Sequence, residues 1–291
     1  MATTLPRPSP AQPAAVAALR RRLAAADSCA RHPYLRDFYQ AYRSYQSVLK
    51  EAELGAELCA ADVLLVGDYH TLPSSQLYVA ELVERLARES GRPVVLGLEM
   101  FYARDQRALD AWLRRELDDR ELRMRVRYES SWGYAWTPFA AMLHAGRAHC
   151  AAVYGVDCVP RGDMRRIAER DRHAAVKLAE IRKRHPGAIL VVAFGEAHLA
   201  PNHLPIEAAA RLDRERVVTV LQNIDALYWK VGGERRGRAA LRVRQDVFCV
   251  FNATPLEKYE SYRDYIEGWQ AGRPHPATSR RSRRPRRRSA A

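Results

Sequence analysis

Short, unbroken apolar runs recur along the chain, separated by longer stretches in which apolar and charged positions alternate every three or four residues. The runs at 62–66, 93–98, 151–156, 188–194, 217–221 and 247–251 are rich in Val, Leu and Ile. They carry no polar alternation, which predicts strands buried on both faces. Between and after them, 73–87, 103–116, 118–128, 138–149, 164–184, 204–212 and 255–269 read as helices. Pro73 suits a first helical turn, and His185-Pro186-Gly187 stops the long charged helix before it. Residues 34–54 place Leu35, Phe38, Tyr42, Tyr45 and Leu49 at three- and four-residue steps, which predicts one amphipathic helix. The tract 129–137, ESSWGYAWT, is aromatic and polar at once and reads as a loop. Strands alternating with helices predict an α/β fold, with a mainly parallel central sheet and helices on both faces.

In such sheets ligands sit at the carboxyl ends of the strands. Four of the runs end in residues with chemistry to offer: Asp68 and His70, Glu99, Asp157, Glu196 and His198. Two of these ends share one pattern, GDYH at 67–70 and GEAH at 195–198. The bare GxxH spacing is common, and it recurs at 146–149 and 272–275. Neither of those follows an apolar run or carries an acid after the glycine. A glycine at a strand end lets the backbone turn and approach a ligand closely. Two imidazoles, His70 and His198, and one of these strand-end carboxylates would make a three-ligand set for a divalent metal, with a position left open for water. A second acid could then orient a histidine or serve as general base. The alternative is that both histidines are ordinary hydrogen-bonded residues at a sheet end. Tyr69, Tyr102, Tyr128, Tyr134 and Trp132 could stack on a planar ligand, or simply pack. Asp157-Cys158 would place a thiol nearby, read here as structural. There is no GxSxG or HExxH, and no phosphate-binding glycine loop.

The 291 residues, 47% of them apolar, suffice for a sizeable core, and no apolar run approaches the roughly 20 residues needed to span a bilayer. The net charge of +14 is concentrated at the ends. Residues 273–291 hold eight arginines and no acid, and 1–33 carry a net +4, which leaves +2 for 34–272. The expected organisation is therefore a basic N-terminal segment at 1–33, disordered at least over 1–13 with helical composition at 14–26. A single α/β domain at 34–272 and a disordered Arg-rich tail at 273–291 follow. The tail would attract polyanions nonspecifically, and a specific nucleic-acid function is not expected of the near-neutral core. An odd count of five cysteines without CxxC suits reduced thiols. The N-terminus lacks a signal-peptide core and a lipoprotein site before Cys29, so the cytoplasm is the expected location.

GDYH at 67–70, GLEMF at 97–101, WGYAWTPF at 132–139, ERD at 169–171 and GEAH at 195–198, in this order, resemble the ChaN-like haem-binding uptake domains of the Tiki/TraB superfamily. These are in turn similar to the erythromycin esterases. The resemblance covers roughly 61–221. It implies an α/β fold with paired GxxH motifs at strand ends, and two activities. One is metal-dependent hydrolysis of a peptide or ester through the GxxH histidines and a glutamate. The other is haem binding and iron uptake, in a lipoprotein context, with tyrosine as an iron ligand. Carried over by position, His70, Glu99 and His198 form the metal set, and Glu196, Asp68 and Arg170 support catalysis. Tyr69, Tyr102, Trp132, Tyr134 and Asp157 are the ligand-binding candidates. The implied cofactor is haem or a divalent metal ion and the implied partner is haem or a peptide or ester substrate, with room for a homodimer. Asp68 stands where the family usually has Glu. The first expectation is a haem- or iron-binding domain, the alternative a metal-dependent peptidase or esterase, and the third an inactive remnant.

Overall fold

Eight segments of the chain pair into one sheet, and their Val- and Leu-rich sequences account for it, since β-branched side chains pack well on a pleated surface. The computed structural model describes residues 12–26, 32–161, 164–231 and 240–270. In chain order its strands are β1 (Ser47–Leu49), β2 (Val63–Asp68), β3 (Val94–Tyr102), β4 (Ala152–Asp157), β5 (Ile189–Gly195), β6 (Val217–Gln222), β7 (Ala240–Arg244) and β8 (Val247–Val250). The helices begin with α1 (Gln12–Ala26), α2 (Pro33–Ala41), α3 (Glu51–Cys59), α4 (Pro73–Glu89), α5 (Gln106–Leu113) and α6 (Asp119–Val126). They continue with α7 (Tyr128–Ser131), α8 (Trp136–His149), α9 (Ile167–Arg184), α10 (Leu204–Ala209), α11 (Asp225–Val231) and α12 (Pro255–Gln270).

The strand order is β1-β7-β8-β6-β2-β5-β3-β4. All pairings from β8 to β4 are parallel, and only β7–β8 and β1–β7 are antiparallel. Every residue of β2, β3 and β5 is buried, because helices cover both faces. One face packs Leu64, Val66, Leu96 and Val191 with the apolar sides of α4, α6 and α8. The other packs Val63, Leu65, Leu190 and Val192 with α2, α9 and α10. The expected α/β class, with a mainly parallel sheet and helices on both faces, is therefore the observed one. No helix among the described residues is long and apolar enough to cross a membrane.

Two local expectations change. The single helix expected over 34–54 is instead α2, then β1, then α3. Tyr42 is buried after α2, its hydroxyl donating to the Leu199 carbonyl. Ser47–Leu49 then pair with β7 at the sheet edge. A new helix starts where the Lys50 backbone N–H donates to Glu53 Oε2 at 2.7 Å, with Glu51 and Glu53 in its first turn. The aromatic tract is largely helical, since α7 and α8 leave only 132–135 between them. In the N-terminal segment, α1 covers the stretch of helical composition at 14–26 and docks on α12, where Val16, Leu19 and Leu23 bury against Tyr259 in a small satellite core. The Arg-rich tail and the first eleven residues lie outside the described residues.

Candidate functional site

The sheet order explains why the strand ends meet. β2 and β5 are neighbours with Asp68 opposite Gly195, so the two GxxH ends stand level. β3 flanks β5 on its other side. Its register against β4 shifts between Leu98 and Tyr102, and Glu99 sits in that bulge. Bulges commonly re-aim a side chain beside a functional site. Gly195 is needed for close approach: a Cβ there would lie 3.0 Å from His70 Nε2 and 3.2 Å from Glu99 Oε2.

Arg170, from α9, lies at the centre of the resulting cluster and is buried. Its Nη2 donates to Glu99 Oε1, and its Nε and Nη2 each donate to Asp157 at 2.9 Å. The Gly195 backbone N–H gives Glu99 Oε2 a further bond at 2.5 Å. Burial alone would raise the Glu99 pKa, but Arg170 and the two histidines hold it down at about 2. Asp157 and Glu99 together keep the Arg170 guanidinium charged.

The two histidines are held differently. His198 Nδ1 lies 2.5 Å from Asp171 Oδ1 and 2.8 Å from the Tyr34 hydroxyl, while Nε2 lies 3.3 Å from Arg170 Nη1. A guanidinium only donates, so Nε2 accepts and Nδ1 carries the proton. Tyr34 also donates to Asp171 Oδ2 at 2.6 Å and stacks on His203 at 3.5 Å. His70 Nδ1 pairs with Asp68 Oδ2 at 2.8 Å, and Gln76 anchors the other Asp68 oxygen. His70 Nε2 is 3.6 Å from Glu99 Oε2, and the ring is 20% exposed. Burial works against a charge on His70, but Asp68 and Glu99 outweigh it and raise its pKa.

Asp68, His70, Glu99, Arg170 and His198 are thus brought together. They do not form the expected metal set, because the Arg170 guanidinium stands against both Glu99 and His198 and uses the His198 lone pair a metal would need. No group of three or more His, Cys, Asp or Glu among the described residues is arranged to hold a metal ion. The expected water-activating role of Glu196 also fails, because both its oxygens accept from Lys258 Nζ at 2.9 Å, and Lys258 is 1% exposed. Asp157 is fully buried as the counter-ion of Arg161 and Arg170 rather than facing a ligand. Tyr102 packs beneath the Arg161 guanidinium at 3.9 Å, and Trp132 packs edge-on to His70 at 4.6 Å. Both are buried.

Sequence reading missed four participants. Asp171 belongs to the ERD triplet but was given no role. Tyr34 follows a helix-breaking His-Pro, Arg161 sits in a turn, and Lys258 lies in the tract after 221, beyond the recognised motifs. Only Asp171 carried a usable signal, one helical position after Arg170.

Residues 54–189, just under half of the chain, match the family model described as haem-binding uptake, Tiki superfamily, ChaN. Over that stretch the chain is similar to the ChaN family. Similar solved structures include ChaN of Campylobacter jejuni, described with cofacial haem binding, at 13% identity over 64% of this chain and 89% of that one, TM-score 0.49. The RRSP effector domain of a MARTX toxin from Vibrio vulnificus is similar at 19% identity over 73% and 46% of the chains, TM-score 0.41. The C-terminal region of Pasteurella multocida toxin is similar at 10% identity over 60% and 24%, TM-score 0.40. No curated protein matches the chain.

Two openings of the domain meet at His70. The larger is a crevice of about 550 Å³ beside α1, α2 and α12. Tyr39, Tyr69, Tyr134, Tyr259 and Tyr262 line it, together with the exposed Arg20, Arg36 and Arg43. The smaller, about 420 Å³, also touches Tyr134. Of the expected ligand-binding residues, Tyr69 and Tyr134 face these openings; Tyr102, Trp132 and Asp157 do not.

Proposed function

We propose that the protein binds haem in the larger crevice. The observation that carries this reading is the lining: tyrosines for a flat apolar macrocycle, exposed arginines for its carboxylates, and His70 among them. The volume falls in the range of small-molecule sites, which is roughly 300–1,000 Å³, and Arg–carboxylate pairing suits the cations present. His70 is the residue best placed to ligate iron. Asp68 fixes its Nδ1–H and so directs Nε2 as the free donor, the arrangement that orients metal-bound imidazoles. Tyr69 and Tyr134 are less suited, since burial raises both phenols well above their ordinary pKa and opposes the phenolate an iron would require. When bound, haem supplies iron redox and ligand chemistry; the chain supplies the slot, the counter-charges and the oriented imidazole.

The test is a haem titration followed by the Soret band, with wild type, His70→Ala and an unrelated basic protein as control. Saturable one-site binding by wild type, weakened at least tenfold in His70→Ala, is expected. A wild-type signal equal to that of the basic control would remove the reading, because the Arg-rich tail alone would then explain it.

A second reading is favoured by the Asp68–His70 pair. His70 is the site imidazole whose second ring nitrogen is not engaged by a guanidinium, and an acid-oriented histidine can serve as a general base without a metal. This reading assigns hydrolysis of a peptide or ester. It expects turnover of an activated ester that resists chelator and disappears in His70→Ala; equal rates in wild type and variant would exclude it.

A further inference from the structure

The walls of the larger crevice are attached unequally. α2 is fixed to the body of the protein, since Phe38 packs in a main core and the Tyr34 hydroxyl donates to Asp171 at 2.6 Å. α12 is pinned to the β5 end by Lys258, which is buried and donates to both Glu196 oxygens at 2.9 Å. α1 is the third wall and contributes Arg20, Leu23 and Ala24 to the lining. Its seat is the satellite core alone. Val16, Leu19 and Leu23, three and four positions apart, lie on Tyr259, and none of them belongs to the cores on the two faces of the sheet. From 13 to 25 every other position of α1 but Ala24 is exposed.

The polar attachment is slight as well. Arg20 lies 3.7 Å from Asp225 with its side chain 49% exposed, a setting in which an ion pair contributes little. Its guanidinium stands 5.6 Å from the Tyr259 ring and 5.8 Å from the Tyr39 ring, so this one side chain of α1 reaches from α12 across to α2. A helix of this length has little stability of its own in water, and α1 has no acid to pair with its arginines. Elements held by few buried contacts are the first to open in a folded protein.

We propose that α1 is a strap that undocks from α12 to admit a ligand to the crevice and redocks over it. Undocking gives up the satellite core and leaves α2, α12 and the strand ends in place. A ligand carrying carboxylates favours redocking, because Arg20 of α1 and Arg36 and Arg43 on the α2 side then hold the same anion. This coupling rests on the haem reading; the undocking does not.

The full chain is tested first without haem. In hydrogen exchange read by mass spectrometry, α1 amides should exchange at least a hundredfold faster than those of α9, which packs on the sheet. Leu19→Asp breaks the seat from a position that does not line the crevice. Under hydroxyl-radical footprinting it should raise oxidation of Tyr69, inside the crevice, at least threefold and leave Tyr154, on the edge strand β4, unchanged. Exchange in α1 as slow as in α9, or equal Tyr69 oxidation in wild type and Leu19→Asp, would overturn the strap. With haem added, α1 exchange should slow at least fivefold in wild type, and haem association in stopped flow should quicken at least fivefold in Leu19→Asp. Given saturable haem binding, an unchanged association rate would overturn entry past the strap, and unchanged exchange would overturn its closure over the ligand. Absence of saturable haem binding would remove the haem reading and the coupling, while the two haem-free measurements would still decide whether α1 undocks. The wild-type exchange measurement needs no variant and stands even if the substitution unfolds the protein.

Discussion

The ends of β2 and β5 carry the same four-residue pattern, yet the structure gives them different work. At the β2 end, His70 is hydrogen-bonded to Asp68 alone, with Glu99 farther off at 3.6 Å, and its partly exposed ring reaches both cavities. At the β5 end, His198 is 4% exposed and held on every polar atom by Tyr34, Asp171 and Arg170. The acids after the two glycines diverge as well. Asp68 holds its own motif's histidine, whereas Glu196 turns to Lys258. The lesson is that GxxH fixes where an imidazole emerges, while neighbouring elements decide whether it is a working group or a structural one. The β2 end is the open half and the β5 end the locked half.

The locked half depends most on Arg170. Replacing it by Met keeps the volume but leaves Glu99 buried without its guanidinium and Asp157 with Arg161 alone. Removing one partner of a buried ion pair costs about 3–5 kcal/mol. Chemical denaturation of Arg170→Met should show a loss of that size; a loss under 1 kcal/mol would mean the guanidinium is not what holds the two halves together.

Glu99 joins them, and its pKa, lowered to about 2, makes that link sensitive to acid. A carboxylate with a depressed folded pKa contributes stability that is present above its unfolded pKa, near 4.5, and is lost as pH falls towards 2. The difference amounts to about 3 kcal/mol. The stability gap between wild type and Glu99→Gln should therefore be largest at neutral pH and close progressively between pH 4.5 and 2. A gap that stays constant with pH would show that the charge of Glu99 is not the source.

The two motif glycines sharpen the comparison further. A methyl at Gly195 would press on His70 Nε2 and Glu99 Oε2, whereas one at Gly67 would meet the end of the flexible Leu199 side chain at 3.2 Å. Gly195→Ala should destabilise by about 1–3 kcal/mol, as overpacking of a tight site does, and Gly67→Ala by less. Equal effects in paired denaturation curves would contradict the view that the strand ends are crowded unequally.

How far the sequence revealed all this follows from the same physics. β2, β3 and β5 were legible because strands buried on both faces must be apolar throughout. β1 and β7 were not, because β1 is exposed or half-buried and β7 alternates with arginines at the sheet edge. His70, Glu99 and His198 could be grouped because parallel neighbours place successive carboxyl ends together. Their partners could not: Lys258 is 62 positions from Glu196, and Tyr34 is 164 from His198. No local pattern encodes such contacts. The metal set was misjudged for a related reason, since nothing in ERD says that its arginine reaches between the ligands.

The mildest test concerns the farthest of these contacts. Tyr34 bridges Asp171 and His198, so Tyr34→Phe keeps the ring on His203 and removes only the hydroxyl. One buried hydrogen bond is worth about 1 kcal/mol net, and Asp171 still holds His198 Nδ1 at 2.5 Å. The variant should therefore lose about 1 kcal/mol in urea unfolding while its haem titration matches wild type, because His70 and the tyrosine and arginine faces of the crevice are untouched and Asp171 keeps His198 in place. A change in haem affinity as large as that of His70→Ala would mean that the locked half does reach the ligand, and the division between the two strand ends would fall.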